Sequence, residues 1–195
     1  LMALVDRKAS VSHELRRGVI GDFFPVQLQL PSAVNVETYR YLLSYTRHTP
    51  RDMLKLLRSI QEFCLSDLPP KPIEILNGIR KYSESYFVNE IKNELGENVD
   101  DFDKVVRLLR QHERQVFTYS DLMEVAQSSG GIRGGQLRQT LELLYECSAI
   151  GNVTSGRTRY YTFKYRNENT ALATGQPMLV HSALVRGLNL RLLAT

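Results

Sequence analysis

The chain has only two cysteines among 195 residues, Cys64 and Cys147. Both lie inside helical patterns with no CxxC or histidine partner spacing. They read as buried free thiols, which excludes a disulfide framework and a zinc site. Histidine is sparse as well: His13, His48, His112 and His181 are scattered, none with a cysteine or carboxylate at ligand spacing. Each reads as a surface or capping residue. No run of about 18 apolar residues occurs, and the opening LMALVDRKAS lacks the apolar centre of a signal segment. Neither a membrane span nor secretion is expected, and the cytoplasm is the default location. The phosphate-cradling pattern GxxxxGK[ST] is absent, so this chain alone is not expected to hydrolyse nucleotide. Ser120, Ser128 and Ser129 stand outside any GxSxG context, and no nucleophile is legible. An enzyme, a resident cofactor and a metal are therefore not expected, and there is no internal repeat or low-complexity tract.

What is present is ordinary globular material. Hydrophobic residues make up 43% of the chain, enough to bury a core in one large or two small domains. The net charge of +4 and pI near 9.1 permit contact with nucleic acid or phosphate without requiring it. The chain opens at Leu1 in what reads as the middle of a helix, so a piece of something longer is expected.

Residues 2–17 are weakly helical, and GVIGDFFPVQLQLPSAVN then reads as a loop with one strand. NVETYRYLLSYTRH places Val36, Tyr39, Leu42, Leu43 and Tyr45 or Thr46 on one helical face, and TPRDMLKLLRSIQEFCLS places Met53, Leu56, Leu57, Ile60 and Cys64 on another, which predicts a helical hairpin. A long third helix is predicted from the prolines near Pro72 to Gly96. A second unit starts near Asp100, with an amphipathic helix through Phe102, Val105, Leu108 and Leu109. A shorter helix follows, capped by Thr118 with Asp121 at its third position. After GGIRGG, a flexible turn without the lysine of a phosphate loop, comes a third helix with Leu137, Leu141, Leu144 and Tyr145 on one side. The period then changes to two: IGNVTSG and TRYYTFKYRN predict a hairpin turned at Ser155 and Gly156. The end reads as a short strand and a helix. The expected fold is mainly α, with a helical bundle over residues 1–98, of which 1–31 are a poorly defined remnant or loop. A winged helix-turn-helix unit with a small hairpin wing is expected over residues 99–195.

Two groups of residues carry functional signals. In YTRHTPRDMLKLLRSIQEF, Thr49 suits the N-cap, Pro50 the first helical position and Asp52 the third. Arg51 is out of place there. A helix start carries roughly half a positive charge, so a cation costs a few tenths of a kcal/mol unless an anion is near. That anion is either Asp52 or a distant carboxylate, or a phosphate on an arginine fork. In the second unit the third helix offers Arg133, Gln136 and Arg138 to base edges, but Glu142 and Glu146 cancel charge. The wing carries Arg157, Arg159, Lys164 and Arg166 against Glu168, with Tyr160, Tyr161 and Tyr165 interleaved, which suits phosphate-backbone contact as well as a plain solvated face.

YLLSYTRHTPRDMLKLLRSIQ, YSESYFVNEIKNEL, LLYECSAIGNV and VHSALVRGLNL, in that order, resemble the C-terminal part of bacterial P-loop ATPases related to the AAA+ and STAND groups. The resemblance covers roughly residues 35–190. It implies a helical lid followed by a winged helix, placed after a nucleotide-binding domain whose P-loop and acidic metal-binding strand are missing here. The lid's Pro-Arg-Asp helix start maps onto Pro50, Arg51 and Asp52, with Arg51 as the expected nucleotide-sensing residue. ATP is then the cofactor of the longer parent. The implied function is a non-catalytic regulatory region with the upstream nucleotide-binding domain as partner. Beyond that, the expected partner is DNA or RNA through the wing, a protein, or a second copy of the chain. The competing expectation is a stand-alone winged-helix transcription regulator with a helical dimerisation region.

Overall fold

The computed structural model describes the backbone of residues 18–64, 69–129, 131–154 and 160–191, with side chains from residue 21 onward. The weak helix over residues 2–17, the turn at Ser155 and Gly156, and Arg157 and Arg159 lie outside these. The chain is mainly helical with two small antiparallel sheets. It divides into two compact units, Leu1–Tyr86 and Phe87–Thr195.

In the first unit, α1 (Gly18–Phe23) precedes a hairpin of β1 (Gln27–Gln29) and β2 (Asn35–Glu37), registered through Leu28 opposite Val36. The stretch GVIGDFFPVQLQLPSAVN, expected to be a loop with one strand, thus holds a short helix and β1 and ends at the first residue of β2. Pro31 sits at the second place of the turn, where its fixed φ fits, and Leu30 C=O accepts the Ala33 N–H at 2.9 Å. Ala33 itself takes φ 60°, the left-handed step of a three-residue hairpin loop. Val36 consequently belongs to a strand rather than to the helical face expected of it, and α2 (Thr38–Leu43) is short.

The helix α3 (Pro50–Gln61) buries Met53, Leu56 and Ile60, and its chief partner is α4 (Pro72–Tyr82) rather than α2. The two helices meet at Gly78, where a Cβ would lie 2.4 Å from the Ile60 Cα. Only a residue without a side chain permits that approach. Lys81 and Glu62 pair across the same two helices, and the hydrogen bond from Lys81 holds the Glu62 carboxyl below its usual range. The expected long helix is α4 and α5 (Val88–Leu95) with a π-helical turn, Ser83–Phe87, between them. Ser83 and Ser85 hydroxyls donate back to the carbonyls of Ile79 and Lys81, at 2.8 and 2.6 Å, in competition with the regular ladder.

The second unit begins earlier than the residue 98/99 boundary expected from sequence, because α5 packs on helices of this unit. After α5 come α6 (Val99–His112), β3 (Val116–Phe117), α7 (Tyr119–Ser129), α8 (Gly134–Glu146), β4 (Ile150–Thr154), β5 (Tyr160–Thr162), β6 (Met178–Val180) and α9 (Ser182–Gly187). At the start of α7 the reciprocal cap is formed: Thr118 N–H donates to the Asp121 carboxylate at 2.7 Å, and Asp121 N–H to the Thr118 hydroxyl at 3.2 Å. The strands order as β3-β6-β4-β5, all pairs antiparallel, with Ile150 opposite Val180 and Val153 opposite Tyr161. Phe102, Leu109, Phe117, Leu122, Leu137, Leu141, Ile150, Met178 and Val180 form the core of this unit. The second strand of the hairpin stops at Thr162. Lys164–Arg166 form a 3₁₀ turn instead of continuing the alternation, because Phe163 turns inward and Tyr165 stacks on it, centroids 5.4 Å apart.

Candidate functional site

The first candidate site is built on the start of α3. Thr49 caps it, accepting the Asp52 N–H at 3.0 Å, and Pro50 needs no donor partner there. Asp52 points inward and is 1% exposed. Its carboxylate accepts the Arg47 backbone N–H at 3.0 Å, the Arg47 Nε–H at 3.3 Å and the Tyr86 hydroxyl at 3.1 Å. The charge of Asp52 is thereby matched to Arg47, whose own side chain is 13% exposed. Arg51, one residue earlier, is turned about 100° round the helix from Asp52. It is exposed, and its guanidinium carbon lies 5.7 Å from the centre of the Tyr86 ring; Lys55 Nζ lies 5.8 Å from the same ring. Tyr86 therefore uses its hydroxyl on the buried anion and its ring for two cations. Along the outer face of α3, Pro50, Arg51, Leu54, Lys55 and Arg58 line a groove of about 450 Å³.

Arg47 and Tyr86 were not among the residues singled out from sequence. The signal for Arg47 was its position just before the cap, within reach of an acid at the third helical place. Tyr86 is 34 positions away from Asp52 and had no local signal.

The second candidate group lies in the second unit. Arg133 is exposed at the N-cap of α8, and its N–H donates to the Gln136 side chain at 3.4 Å, so Gln136 closes the helix start. Arg138 pairs with Glu142 at 3.1 Å, one turn on. Lys164 Nζ donates to the Glu146 carboxylate at 3.1 Å and to the Thr170 carbonyl at 2.9 Å, which ties it to the end of α8. Arg166 is exposed, donates to the Tyr161 carbonyl at 3.2 Å, and lies 5.9 Å from the centre of the Tyr165 ring. Tyr160 and Tyr161 are exposed on β5. Burial raises the Tyr165 hydroxyl above its usual pKa, against a smaller opposing effect of Arg166.

His181 is a fully buried cap: Nδ1 accepts the Ala183 N–H at 3.2 Å while the ring stacks on Phe87 at 4.7 Å. Cys147 is buried as expected, whereas Cys64 is only half-buried; both are free thiols. Among the described residues no group of three or more His, Cys, Asp or Glu is placed to hold a metal ion, and no helix is long and apolar enough to cross a membrane.

Against protein-family models, curated proteins and solved structures, the chain has no significant match.

Proposed function

We propose that this chain is a non-catalytic regulatory region in which the first unit reads a phosphate group presented by an upstream nucleotide-binding domain and the second unit carries the response to a partner. The observation behind the phosphate reading is the row of cations on α3. Arg51, Lys55 and Arg58 are exposed and line one surface of the helix, which starts at Pro50. A cation at a helix start, flanked by two more on one face, is suited to an incoming anion. A charge-assisted hydrogen bond worth about 1.5–3 kcal/mol shifts a two-state equilibrium by one to two decades, enough for a switch. In the nucleotide-binding parent, Arg51→Ala is expected to weaken nucleotide-dependent behaviour with the fold intact. Unchanged nucleotide affinity and turnover in that variant would remove Arg51 from the role.

The second unit is, in this reading, a winged helix. The order α6, β3, α7, α8, β4, β5 supports it, with α8 in the place of the recognition helix and β4–β5 as the wing. Pairing of Arg138 with Glu142 and of Lys164 with Glu146 leaves the α8 face close to neutral, which supports a protein partner over base reading by this helix.

A further inference from the structure

The cations of the second unit fall into two groups. Lys92, Lys104, Arg138 and Lys164 are paired, with Asp103, Asp101, Glu142 and Glu146 in turn. Arg107, Arg110 and Arg114 are exposed on the last part of α6 and just past it, and none of the three forms an ion pair among the described residues. Arg110 donates to the Leu188 carbonyl at 3.2 Å, a neutral acceptor that leaves its charge in place. That bond brings the stretch after α9 to the same end of α6. Arg191, exposed as well, follows Leu188 by three residues, a reach of roughly 10 Å along the chain. Acids are sparse in both stretches: Ser182 to Thr195 contains none, and Glu113 is the one carboxylate between residues 104 and 120. Asp121 comes within 4.0 Å of His112, but its carboxylate already accepts the Thr118 N–H.

We propose that Arg107, Arg110, Arg114 and Arg191 form a contact site for the phosphate backbone of duplex DNA. Arg107 and Arg110 lie three apart on one helical face, where like charges repel in the absence of an anion. The helix dipole accounts for Arg110 in the last turn, but not for Arg107 further in or for Arg114 beyond the left-handed Glu113 at φ 60°. Guanidinium forks take phosphate oxygens in pairs, and Gln111, exposed on the same face, adds a neutral donor. A protein partner calls for an apolar centre, and none of the exposed large apolar side chains of the described residues lies on α6 or after α9. A single strand is held by bases stacked on aromatic rings, whereas Tyr160 and Tyr161, the exposed rings of this unit, are on β5. Duplex RNA is held through 2′-hydroxyls over two minor grooves, more than one short arginine cluster spans. Backbone contact without base reading gives weak, salt-sensitive, sequence-independent binding. The inference uses no residue assigned above to a nucleotide phosphate, to α8 or to the wing.

The test is fluorescence anisotropy of the whole chain with a labelled DNA duplex of about 20 base pairs and arbitrary sequence, at salt from about 50 to 200 mM. The expected result is binding whose logarithm falls linearly with the logarithm of salt. Arg107→Gln with Arg114→Gln should weaken it roughly ten-fold or more at the low-salt end and reduce the slope by about two counterions. Arg107→Lys with Arg114→Lys keeps the charges and should keep the slope. Both arginines are exposed and glutamine is a good helix former, so circular dichroism should show the helices retained. A measurement that needs no variant is an NMR titration with the same duplex, in which the Nε–H signals of Arg107, Arg110, Arg114 and Arg191 are expected to shift. An unchanged slope in the glutamine variant, or NMR shifts confined to other arginines, would overturn the proposal. So would a duplex RNA of the same sequence or a polyglutamate peptide bound as tightly as the DNA, or no binding of DNA at the lowest salt.

Discussion

Asp52 is a buried carboxylate with three donors, and the donors are unequal. Arg47 brings an opposite charge, its Nε 3.3 Å from the carboxylate, and Tyr86 brings one neutral hydroxyl. Removing the charged partner of a buried pair strands an ion in low dielectric, at about 3–5 kcal/mol, whereas losing one neutral hydrogen bond of three costs about 1–2 kcal/mol. Arg47→Ala is therefore expected to lower the urea midpoint of the first unit well beyond Tyr86→Phe; equal midpoints would mean that the pair does not hold the α3 start. The cap itself was legible in the sequence because Thr49, Pro50 and Asp52 act within three residues of one another. Which arginine took the aspartate was not, since Arg47 and Arg51 flank the cap almost symmetrically. The choice was made by burial: the inward side of the helix is the one where an ion must find a partner.

The decisive contact between elements is the one at Gly78, where α4 lies directly on the α3 backbone. Gly78→Ala should push the two helices apart and cost about 1–3 kcal/mol, despite the better helix propensity of alanine. Thermal melting followed by far-UV circular dichroism checks the sign, and a rise in melting temperature would show that the helices are not so close. The helices α3, α4, α6 and α8 were legible because their apolar residues recur at helical spacing over three or more turns. The β1–β2 hairpin was read only in part, since three-residue strands are too short to establish a period of two. Lys164–Arg166 failed as a strand for a different reason: the inward turn of Phe163 and the Ser148 hydroxyl, which accepts the Tyr165 N–H at 3.1 Å, override the alternation.

For the whole molecule, the question is what the positive charge is for. Lys164 looked like a wing cation in sequence, yet it is fastened to Glu146 and Thr170. Lys164→Gln is expected to destabilise the second unit by about 0.5–1.5 kcal/mol while leaving the salt dependence of any duplex-DNA binding unchanged. A salt slope reduced by about one counterion in that variant would make Lys164 a phosphate contact after all. Such long-range pairing is invisible to local patterns, which is why the fold was easier to read than the surface. One place in the chain is also closed to drift. At Gly78 a Cβ would meet the Ile60 Cα and N at 2.4 and 2.7 Å as well as its Cγ1 at 2.6 Å, so trimming the isoleucine to a smaller residue still leaves the main chain in the way. Among descendants of a shared ancestor this position should stay fixed for geometric reasons alone, and its constancy would say nothing about activity.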